Sequence, residues 1–353
     1  MRMGRTALVM DARMVGPRLH GIARHVVGLA RALVRHVPEW RPTLLLGPDA
    51  PASLRDEFTH VAVAAGFLDP VEAVAVPAAV AQLGPRLFHA PSFSVSPLLT
   101  APFVVTLHDA IHLQRPQDYG LKQRAYYLGL VRPATRRARL VLTVSQDARS
   151  AIFEHLRVPL ERIRVVPNGV EPALLALEQV PRTGAVLVVT GPKPHKNLVT
   201  LLHAVSHAPQ LRLDVAGTPL EGSEQLARAL GLADRVRFLG PVDEGAMVDL
   251  LQRARVVAVP STLEGFGLPV LEGMAVGAPV VCSDIPVFHE VAGGVARYVP
   301  PLDAVAWARA LLEEPPEAAS RQGRERAACM TWEQAARLTA QVYEEAAGAS
   351  PLS

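Results

Sequence analysis

The amino-acid sequence predicts an α/β protein made of two doubly wound, parallel-sheet domains that face each other across a cleft. Its 353 residues exceed what one hydrophobic core usually organises. Short, almost continuously apolar segments of strand length recur along the chain, separated by loops or amphipathic stretches. Such segments are typical of parallel strands that helices cover on both faces. They form two series with a looser stretch between them, which indicates two domains.

The first series occupies residues 1–172 and opens with a strand, a loop and a helix. Behind the apolar segment 7–10, apolar residues recur every three or four positions from Ile22 to Val37. This spacing predicts an amphipathic helix. Further strands of this domain are predicted at residues 43–46, 86–89, 103–107, 140–144 and 163–166.

The second series occupies residues 173–330 and repeats the alternation. In sheets of this kind ligands bind at the carboxyl ends of the strands, so the motifs that follow each strand are the candidates for chemistry. The closing stretch, 331–353, begins with a predicted helix. The predicted strands of the second domain cover residues 185–190, 211–216, 236–239, 256–260, 279–282 and 296–299.

Composition indicates the cellular setting. A net charge of +3 suits phosphate-bearing substrates or a membrane surface without requiring either, and no nucleic-acid partner is predicted. Cys282 and Cys329 fit no metal spacing and indicate a reducing compartment. We recognise no signal peptide and no apolar run long enough to span a bilayer. We therefore expect a cytoplasmic protein, with any membrane contact being peripheral on the inner face of the cell membrane.

The most informative segment is residues 260–272 (PSTLEGFGLPVLE), between a predicted strand and a predicted helix. Gly265 and Gly267 let the backbone turn sharply and approach a ligand, and the following proline suits a first helical turn. The amides and dipole of such a helix start favour an anion such as a diphosphate. Glu264 and Glu272 flank this point and are placed to hold hydroxyls on either side of it. A solvated glutamate would explain either residue alone, but not the whole combination.

These two glutamates, eight positions apart around a glycine-rich helix start, resemble the retaining glycosyltransferases of the GT-B fold. The similarity is to glycosyltransferase family 4, and within it to bacterial mannosyltransferases, over nearly the whole chain. It implies a Rossmann-like first domain that binds the acceptor, a Rossmann-like second domain that binds the nucleotide sugar, and a last helix that crosses back to the first. It also implies that Glu264 contacts the transferred sugar and that Glu272 binds the ribose. The backbone assigned to the sugar and diphosphate is that of Gly265, Phe266, Gly267 and Leu268.

A second motif, residues 191–197 (GPKPHKN), follows the first predicted strand of the second domain. Fixed cations there would stabilise the negative charge of a departing nucleoside diphosphate. The family pattern matches Lys196 followed by Asn197. Many members also carry an arginine several residues earlier, and Lys193 lies near that position in this sequence. The segment lacks the P-loop pattern, and surface lysines are the alternative. We recognise no D-x-D metal dyad, so no metal site is predicted and activity should survive chelators.

His108 and Asp109 end a predicted strand of the first domain and are expected to point into the cleft. From the sequence alone, a buried structural histidine is an equal alternative. The resemblance places a histidine here beside the sugar ring and the anomeric carbon, so His108 is predicted as a sugar-site residue. Asp109 is a weaker, acceptor-side candidate, and His89 and His112 are lesser ones.

The remaining family landmarks are a loop of the first domain and the segment after one predicted strand of the second. The resemblance places the loop between Gly16 and Gly21 close to the donor phosphate and the acceptor. Arg13 and Arg24 flank this loop, where they are expected either to meet a charged acceptor or to be solvated. Val242 follows a predicted strand whose end is similar to the family segment that flanks the nucleotide base.

The stretch 115–139 is strongly basic, with seven Lys or Arg residues, one acid and interleaved tyrosines and leucines. An amphipathic basic helix of this kind can lie on an anionic membrane. A solvated helix face is the equal alternative.

The predicted function is retaining transfer of a hexose, mannose being slightly favoured, from a GDP- or UDP-linked sugar to a hydroxyl acceptor. The expected acceptor is a glycan or lipid-linked saccharide of bacterial envelope polysaccharide, and no cofactor is expected. The predicted catalytic residues are His108, Lys196 and Glu264. Two alternatives are a non-catalytic sugar-nucleotide-binding subunit and a disaccharide phosphorylase that would require inorganic phosphate.

Overall fold

The computed structural model describes residues 7–16, 21–182, 184–316 and 318–348. Its internal contacts divide the chain into two units. The first unit extends to Gly169 and resumes at Trp332, and the second is Val170–Thr331. Each unit is a parallel α/β structure, which confirms the predicted fold class, and each is described by itself below.

The first unit contains a seven-stranded sheet in the order β3-β2-β1-β4-β5-β6-β7, with every neighbouring pair parallel. The predicted strands are present to within two residues. Sequence reasoning missed β3, because this edge strand is short and two of its three residues are exposed. The strands are β1 (Leu8–Asp11), β2 (Pro42–Leu46), β3 (His60–Ala62), β4 (Leu87–Ala90), β5 (Phe103–Thr106), β6 (Val141–Thr143) and β7 (Ile163–Val165).

Helices connect these strands. Ser145 caps one of them by accepting from the backbone N–H of Ala148 at 3.0 Å. The helices of this stretch are α1 (Gly21–His36), α2 (Ala52–Glu57), α3 (Glu72–Leu83), α4 (Ile111–Gln114), α5 (Leu121–Tyr126), α6 (Arg132–Arg137) and α7 (Gln146–Leu156).

The second unit contains a six-stranded parallel sheet in the order β10-β9-β8-β11-β12-β13. Its strands are β8 (Val186–Thr190), β9 (Leu213–Gly217), β10 (Val236–Gly240), β11 (Val256–Val259), β12 (Val280–Ser283) and β13 (Arg297–Val299). Its helices are α8 (Pro172–Leu175), α9 (Leu198–His207), α10 (Ser223–Ala229), α11 (Glu244–Arg253), α12 (Leu268–Ala275), α13 (Pro286–Ala292), α14 (Ala304–Leu312) and α15 (Ala319–Ala328).

The last helix, α16 (Trp332–Gly348), belongs to the first unit and packs on α1. Gly28 makes this close packing possible, because a Cβ atom there would lie 2.3 Å from Cε2 of Trp332. Helices cover both faces of the first sheet. Along β1, Leu8 and Met10 pack in the core shared with α1 and α16, whereas Val9 packs in the opposite core. Within the described ranges, no helix combines the length and the apolar character needed to cross a bilayer.

Candidate active site

The second sheet reverses its strand order between β8 and β11. The chain first adds β9 and β10 on one side of β8, and then returns to add β11, β12 and β13 on the other. Loops that leave neighbouring strands at such a reversal diverge, and open α/β sheets bind ligands in the crevice between them. The predicted donor motifs, 191–197 and 260–272, follow β8 and β11. The predicted donor motifs therefore lie at the end of the sheet where its topology favours ligand binding, after β8 and β11.

Asn197 fixes the loop that follows β8. Its left-handed backbone, with φ of 54°, ends the short helical turn Pro194–Lys196. Its Nδ2 donates to the carbonyls of Pro260 at 2.9 Å and Pro301 at 2.7 Å, and its Oδ1 accepts from Thr200 at 2.7 Å. Both N–H groups of this amide are therefore used inside the unit, where they hold the loop that contains Lys196. A contact of Asn197 with the donor stays a prediction.

Lys196 and Glu264 form an ion pair between the two loops. The Nζ atom of Lys196 lies 2.6 Å from Oε1 of Glu264, with the side chains 28% and 12% exposed. Ser261 donates its hydroxyl to the same carboxylate oxygen at 2.8 Å. Partial shielding from water strengthens such interactions while leaving both groups within reach of a ligand. Sequence reasoning identified both charges but missed their pairing, and it missed Ser261, whose one signal is its place three residues before Glu264.

The pKa of Glu264 is lowered in this setting. Burial by itself would raise it, but the charge and hydrogen bond of Lys196, the hydrogen bond of Ser261 and the nearby His195 outweigh burial. Glu264 is therefore ionised near neutral pH, accepts hydrogen bonds and has no proton to give. This state suits a residue that holds hydroxyls and does not suit a general acid.

Gly267 starts α12 in a conformation that requires glycine. Its φ is 99°, and a Cβ atom would lie 2.6 Å from the ring of Phe288. The helix that begins here presents its first N–H groups and the positive end of its dipole at the end of the loop. The neighbouring Gly265 and Phe266 are buried, and Leu268 is half-buried.

Three other predicted donor residues are half-buried on the surrounding elements. Lys193 precedes the helical turn after β8, and Val242 lies between β10 and α11. Glu272 is inside α12, whereas Glu264 lies before that helix, so the two glutamates are not neighbours on one helical face. Contacts of these residues with phosphate, base or ribose stay predictions.

In the first unit, His108 and Asp109 follow β5. The Nε2 atom of His108 lies 3.0 Å from the carbonyl oxygen of Pro91. Because a carbonyl only accepts, Nε2 carries a proton. Asp109 accepts from the backbone N–H of Ile111 at 2.9 Å and so helps to begin α4. The sugar-site role of His108 and the acceptor role of Asp109 stay predictions.

The two lesser histidine candidates are bonded inside the first unit. His89 is fully buried, with Nδ1 2.6 Å from the hydroxyl of Tyr343 and Nε2 2.8 Å from that of Thr106. Burial, with a smaller contribution from His108, lowers the pKa of His89 to about 3. His112 is bonded to the hydroxyl of Tyr127 at 3.1 Å. Both positions fit structural histidines.

Arg13 corrects a prediction. Its side chain, 1% exposed, pairs with Asp11 at 2.8 Å and Glu72 at 3.1 Å. The guanidinium also donates to Ser94 at 3.1 Å and to the carbonyl of Gly66 at 3.0 Å. Burial alone would lower the pKa of Arg13, but the two carboxylates raise it. Arg13 is neither solvated nor available to an acceptor, and sequence reasoning missed its partners because Glu72 is distant along the chain.

The loop predicted near the donor phosphate is described only at its ends, since residues 17–20 lie outside the described residues. Gly16 is half-buried, and a Cβ atom there would meet nothing within 4 Å. Gly21 is the exposed first residue of α1, and Arg24 is half-buried on the same helix. Their contacts with donor or acceptor stay predictions.

The basic stretch 115–139 contains a continuous helical segment from α5 to α6, with a π-helical turn at Tyr127–Val131. Its tyrosines belong to the interior. Tyr126 donates to Glu72 at 2.7 Å, and Tyr127 is 1% exposed. Its outer face carries leucines and basic residues together with a glutamine and an alanine. The exposed side chains of this helical segment are Leu121, Lys122, Gln123, Arg124, Ala125, Leu128, Arg136 and Arg137.

Metal and disulfide chemistry find no support in the part of the chain that the structure describes. No group of three or more His, Cys, Asp or Glu side chains is arranged there to hold a metal ion. Cys282 is a buried free thiol and Cys329 an exposed one. Metal-independent activity stays a prediction.

Comparisons with known proteins extend over both units. A family model described as "Glycosyltransferase Family 4" matches residues 19–174, and one described as "Glycosyl transferases group 1" matches residues 179–322. HepE from Anabaena, solved in complex with UDP and glucose, has a similar fold, with a TM-score of 0.74 and 19% identity over 96% of this chain and 99% of that one.

Two curated relatives are similar in sequence. The O-antigen chain mannosyltransferase RfbU of Salmonella typhimurium is 33% identical over 223 residues, covering 62% of this chain and 62% of the relative. The MMP alpha-(1->4)-mannosyltransferase of Mycolicibacterium hassiacum is 32% identical over 274 residues, covering 69% of this chain and 66% of the relative. The chain thus spans slightly less than two thirds of the length of each. Adjacent family matches over both units, together with these relatives, show that this chain belongs to the GT-B glycosyltransferases of family 4.

Proposed function

We propose that this chain transfers a hexose from a nucleoside diphosphate sugar to a hydroxyl acceptor, with retention at the anomeric carbon. The observation that carries the proposal is the Lys196–Glu264 pair at the order reversal of the second sheet, between the loops that follow β8 and β11. A cation and a helix start suit a diphosphate. An ionised carboxylate suits sugar hydroxyls. A nucleotide sugar requires both in one place.

The proposed reaction breaks the bond between the anomeric carbon and a phosphate oxygen. The acceptor oxygen bonds to the same carbon on the same face, and its proton passes to the departing phosphate oxygen, so atoms and charge balance. Lys196, helped by Lys193 and the start of α12, stabilises the charge that grows on the diphosphate. Glu264 orients the sugar and Glu272 holds the ribose. These fixed cations are the basis for expecting turnover in the presence of a chelator, without a cofactor.

The donor we favour is GDP-mannose, because both relatives described above are named mannosyltransferases. A UDP-hexose is the competing donor, since HepE was solved with UDP and glucose. For the acceptor we propose a glycan or lipid-linked saccharide of envelope polysaccharide synthesis, in line with the O-antigen role in the name of RfbU.

We further propose peripheral contact with an anionic membrane, on its inner face, through the stretch 115–139. Support comes from the outer face of α5, where Leu121 is 83% exposed beside the exposed Lys122 and Arg124. Basic and apolar side chains on one surface favour binding to anionic lipid. Co-sedimentation with anionic vesicles and not with neutral ones is expected, and the absence of binding to anionic vesicles would refute this part of the proposal.

The donor is tested by a thermal-shift screen against GDP-mannose, UDP-glucose, and ADP- and dTDP-linked sugars. A true donor stabilises the protein by about 2.7 kcal/mol at a hundred times its Kd. Transfer from that donor is then followed with EDTA present, and NMR of the product reports the anomeric configuration. No stabilisation and no donor turnover would contradict the proposal, and a strict need for inorganic phosphate would indicate a phosphorylase.

A further inference from the structure

His25, on α1, is a buried histidine for which the proposed chemistry has no role. Its Nδ1 atom lies 2.8 Å from Oδ1 of Asn168. An amide oxygen only accepts, so Nδ1 carries the proton and Nε2 keeps a bare lone pair. Among the described residues, that Nε2 atom is buried without a hydrogen-bond partner. A buried acceptor of this kind destabilises a protein, so something other than hydrogen bonding at Nε2 accounts for an imidazole here.

Ring packing is a further interaction of this imidazole. The His25 ring stands edge-to-face to that of His108, with centroids 4.6 Å apart and planes at 85°. On another side it meets Trp332, at 5.9 Å and 70°. Trp332 is itself held in the notch over Gly28, which lies three residues further along α1. Separations of this size are typical of favourable aromatic pairs.

The charge state of His25 is fixed as well. Burial lowers its pKa to about 4, although the hydrogen bond to Asn168 opposes this effect. The ring is therefore neutral at physiological pH and has a single tautomer. A neutral, rigid ring restricts the orientation of a neighbouring imidazole without altering its net charge.

Two partners of His25, Asn168 and Trp332, lie where the chain leaves and re-enters the first unit. Asn168 is one residue before the end of the first segment of this unit, and Trp332 is the residue at which the chain returns to it. His25, which lies on α1, thus packs with His108 and with the two residues next to the points where the chain leaves and re-enters this unit. Because His25 contacts Asn168, Trp332 and His108, the positions of α1 and of these two chain segments restrict where the ring of His108 can lie.

We infer that His25 is a positioning residue, which sets the ring plane of His108 against α1, Asn168 and Trp332. The inference rests on the proposed function and on the predicted place of His108 in its sugar site. His25 is not a catalytic residue, because its buried ring has no access to substrate. Its effect on turnover is expected to pass through His108 alone.

A double-mutant cycle tests this coupling. The amide of His25→Asn replaces Nδ1–H and keeps the bond to Asn168, but it removes the ring. We expect kcat to fall about 10- to 100-fold, as for a small misplacement at a reacting centre, while the donor KM changes less than about threefold. In a His108→Ala background the same change should alter kcat by less than about twofold, because coupled sites are not additive. His36→Asn, at the other end of α1, is the control and should retain wild-type kcat.

A second variant separates positioning from folding. His25→Phe keeps the ring but loses Nδ1–H, so it should be less stable yet closer to wild type in kcat than His25→Asn. The inference would be overturned if His25→Asn lowered kcat equally in the wild-type and His108→Ala backgrounds, or if kcat were lower in His25→Phe than in His25→Asn. Either result would leave the proposed function standing.

A spectroscopic readout separates failure of the inference from failure of the proposed function. Nitrogen-15 NMR of the His108 ring should show one Nε2–H tautomer in the wild type and a mixture in His25→Asn. An unchanged His108 spectrum would overturn the inference, whatever the activity. Full kcat in His108→Ala would instead refute the role proposed for His108, and with it the link from His25 to turnover.

Discussion

The two units have the same order in their first six strands and differ in what occupies the point where that order reverses. In the first unit the reversal lies between β1 and β4, and Arg13 fills it with a side chain that is 1% exposed and paired with Asp11 and Glu72. In the second it lies between β8 and β11, where Lys196 is 28% exposed and paired with Glu264. The same topology therefore holds a buried ion-pair cluster at one reversal and a partly exposed ion pair at the other.

The difference is electrostatic as well as steric. A buried cation between two carboxylates is held by its partners, and removing it leaves charges that are expensive to bury. At the second reversal the lysine is 28% exposed, so its removal is expected to cost less stability, and the lysine can exchange its carboxylate partner for a phosphate. The comparison therefore predicts that mutations at the first reversal change stability, whereas those at the second change donor chemistry.

The largest effect is expected from Arg13→Met. Loss of the guanidinium leaves Asp11 and Glu72 buried without their cation, so the free energy of unfolding should fall by about 3–5 kcal/mol, measured by urea denaturation. Arg31→Met is the matched control, because Arg31 is 48% exposed in its pair with Glu57 and should contribute no more than about 1 kcal/mol. Similar losses in both variants would remove the distinction between the two reversals.

Lys196→Met is expected to act mainly on turnover. Removing a group that stabilises developing charge lowers kcat by about 100- to 1000-fold, equivalent to about 2.7–4 kcal/mol. The melting temperature should fall less than in Arg13→Met, since Lys196 is 28% exposed and Arg13 is 1% exposed. Steady-state kinetics on the donor found by the screen would check this. A variant with wild-type kcat, or one that loses activity only by unfolding, would contradict the assignment.

Gly267→Ala tests the glycine turn at the second reversal. The substitution places a methyl group against Phe288 at a φ of 99°, so a loss of about 1–3 kcal/mol in stability and weaker donor binding are expected. Gly231→Ala is the matched control, since Gly231 also has positive φ but nothing within 4 Å of its would-be Cβ. Equal losses of stability in chemical denaturation would show that Phe288 plays no part.

A smaller, pH-dependent effect belongs to the first unit. Burial lowers the pKa of His25 to about 4 and of His89 to about 3, whereas the unfolded chain takes up these protons near 6.5. Their contribution to stability is therefore complete above pH 6.5 and is lost as the pH falls towards 4 and 3. Each proton accounts for up to about 1.4 kcal/mol per pH unit. In urea titrations at several pH values, His25→Asn should reduce the slope of the free energy of unfolding against pH, and an unchanged slope would contradict this prediction.

Much of the fold could be predicted because the buried strands are apolar without interruption, as in Leu8–Met10. The edge strand His60–Ala62 was missed because only a covered strand needs that pattern. In the candidate site, Lys196 and Glu264 carried clear local signals. Their ion pair did not, because it depends on the juxtaposition of β8 and β11 in the sheet.

Arg13 was assigned wrongly for a related reason. A loop beside a strand end suggests a ligand contact, but the carboxylate of Glu72 that neutralises this arginine lies 59 positions away. The carbonyl partners of Asn197, Pro260 and Pro301, likewise lie on other loops and were not predicted. Local patterns identify groups able to do chemistry, whereas packing decides which of them are already engaged.

The central claim is that the reversal between β8 and β11 holds the donor diphosphate through Lys196. Calorimetric titration of GDP and UDP into the wild type, Lys196→Met and Arg31→Met tests it most directly. A charge-assisted hydrogen bond contributes about 1.5–3 kcal/mol, so Lys196→Met should weaken the binding of the preferred nucleotide about 10- to 100-fold while Arg31→Met leaves it unchanged. Undiminished affinity in a folded Lys196→Met variant would place the diphosphate elsewhere and contradict the account.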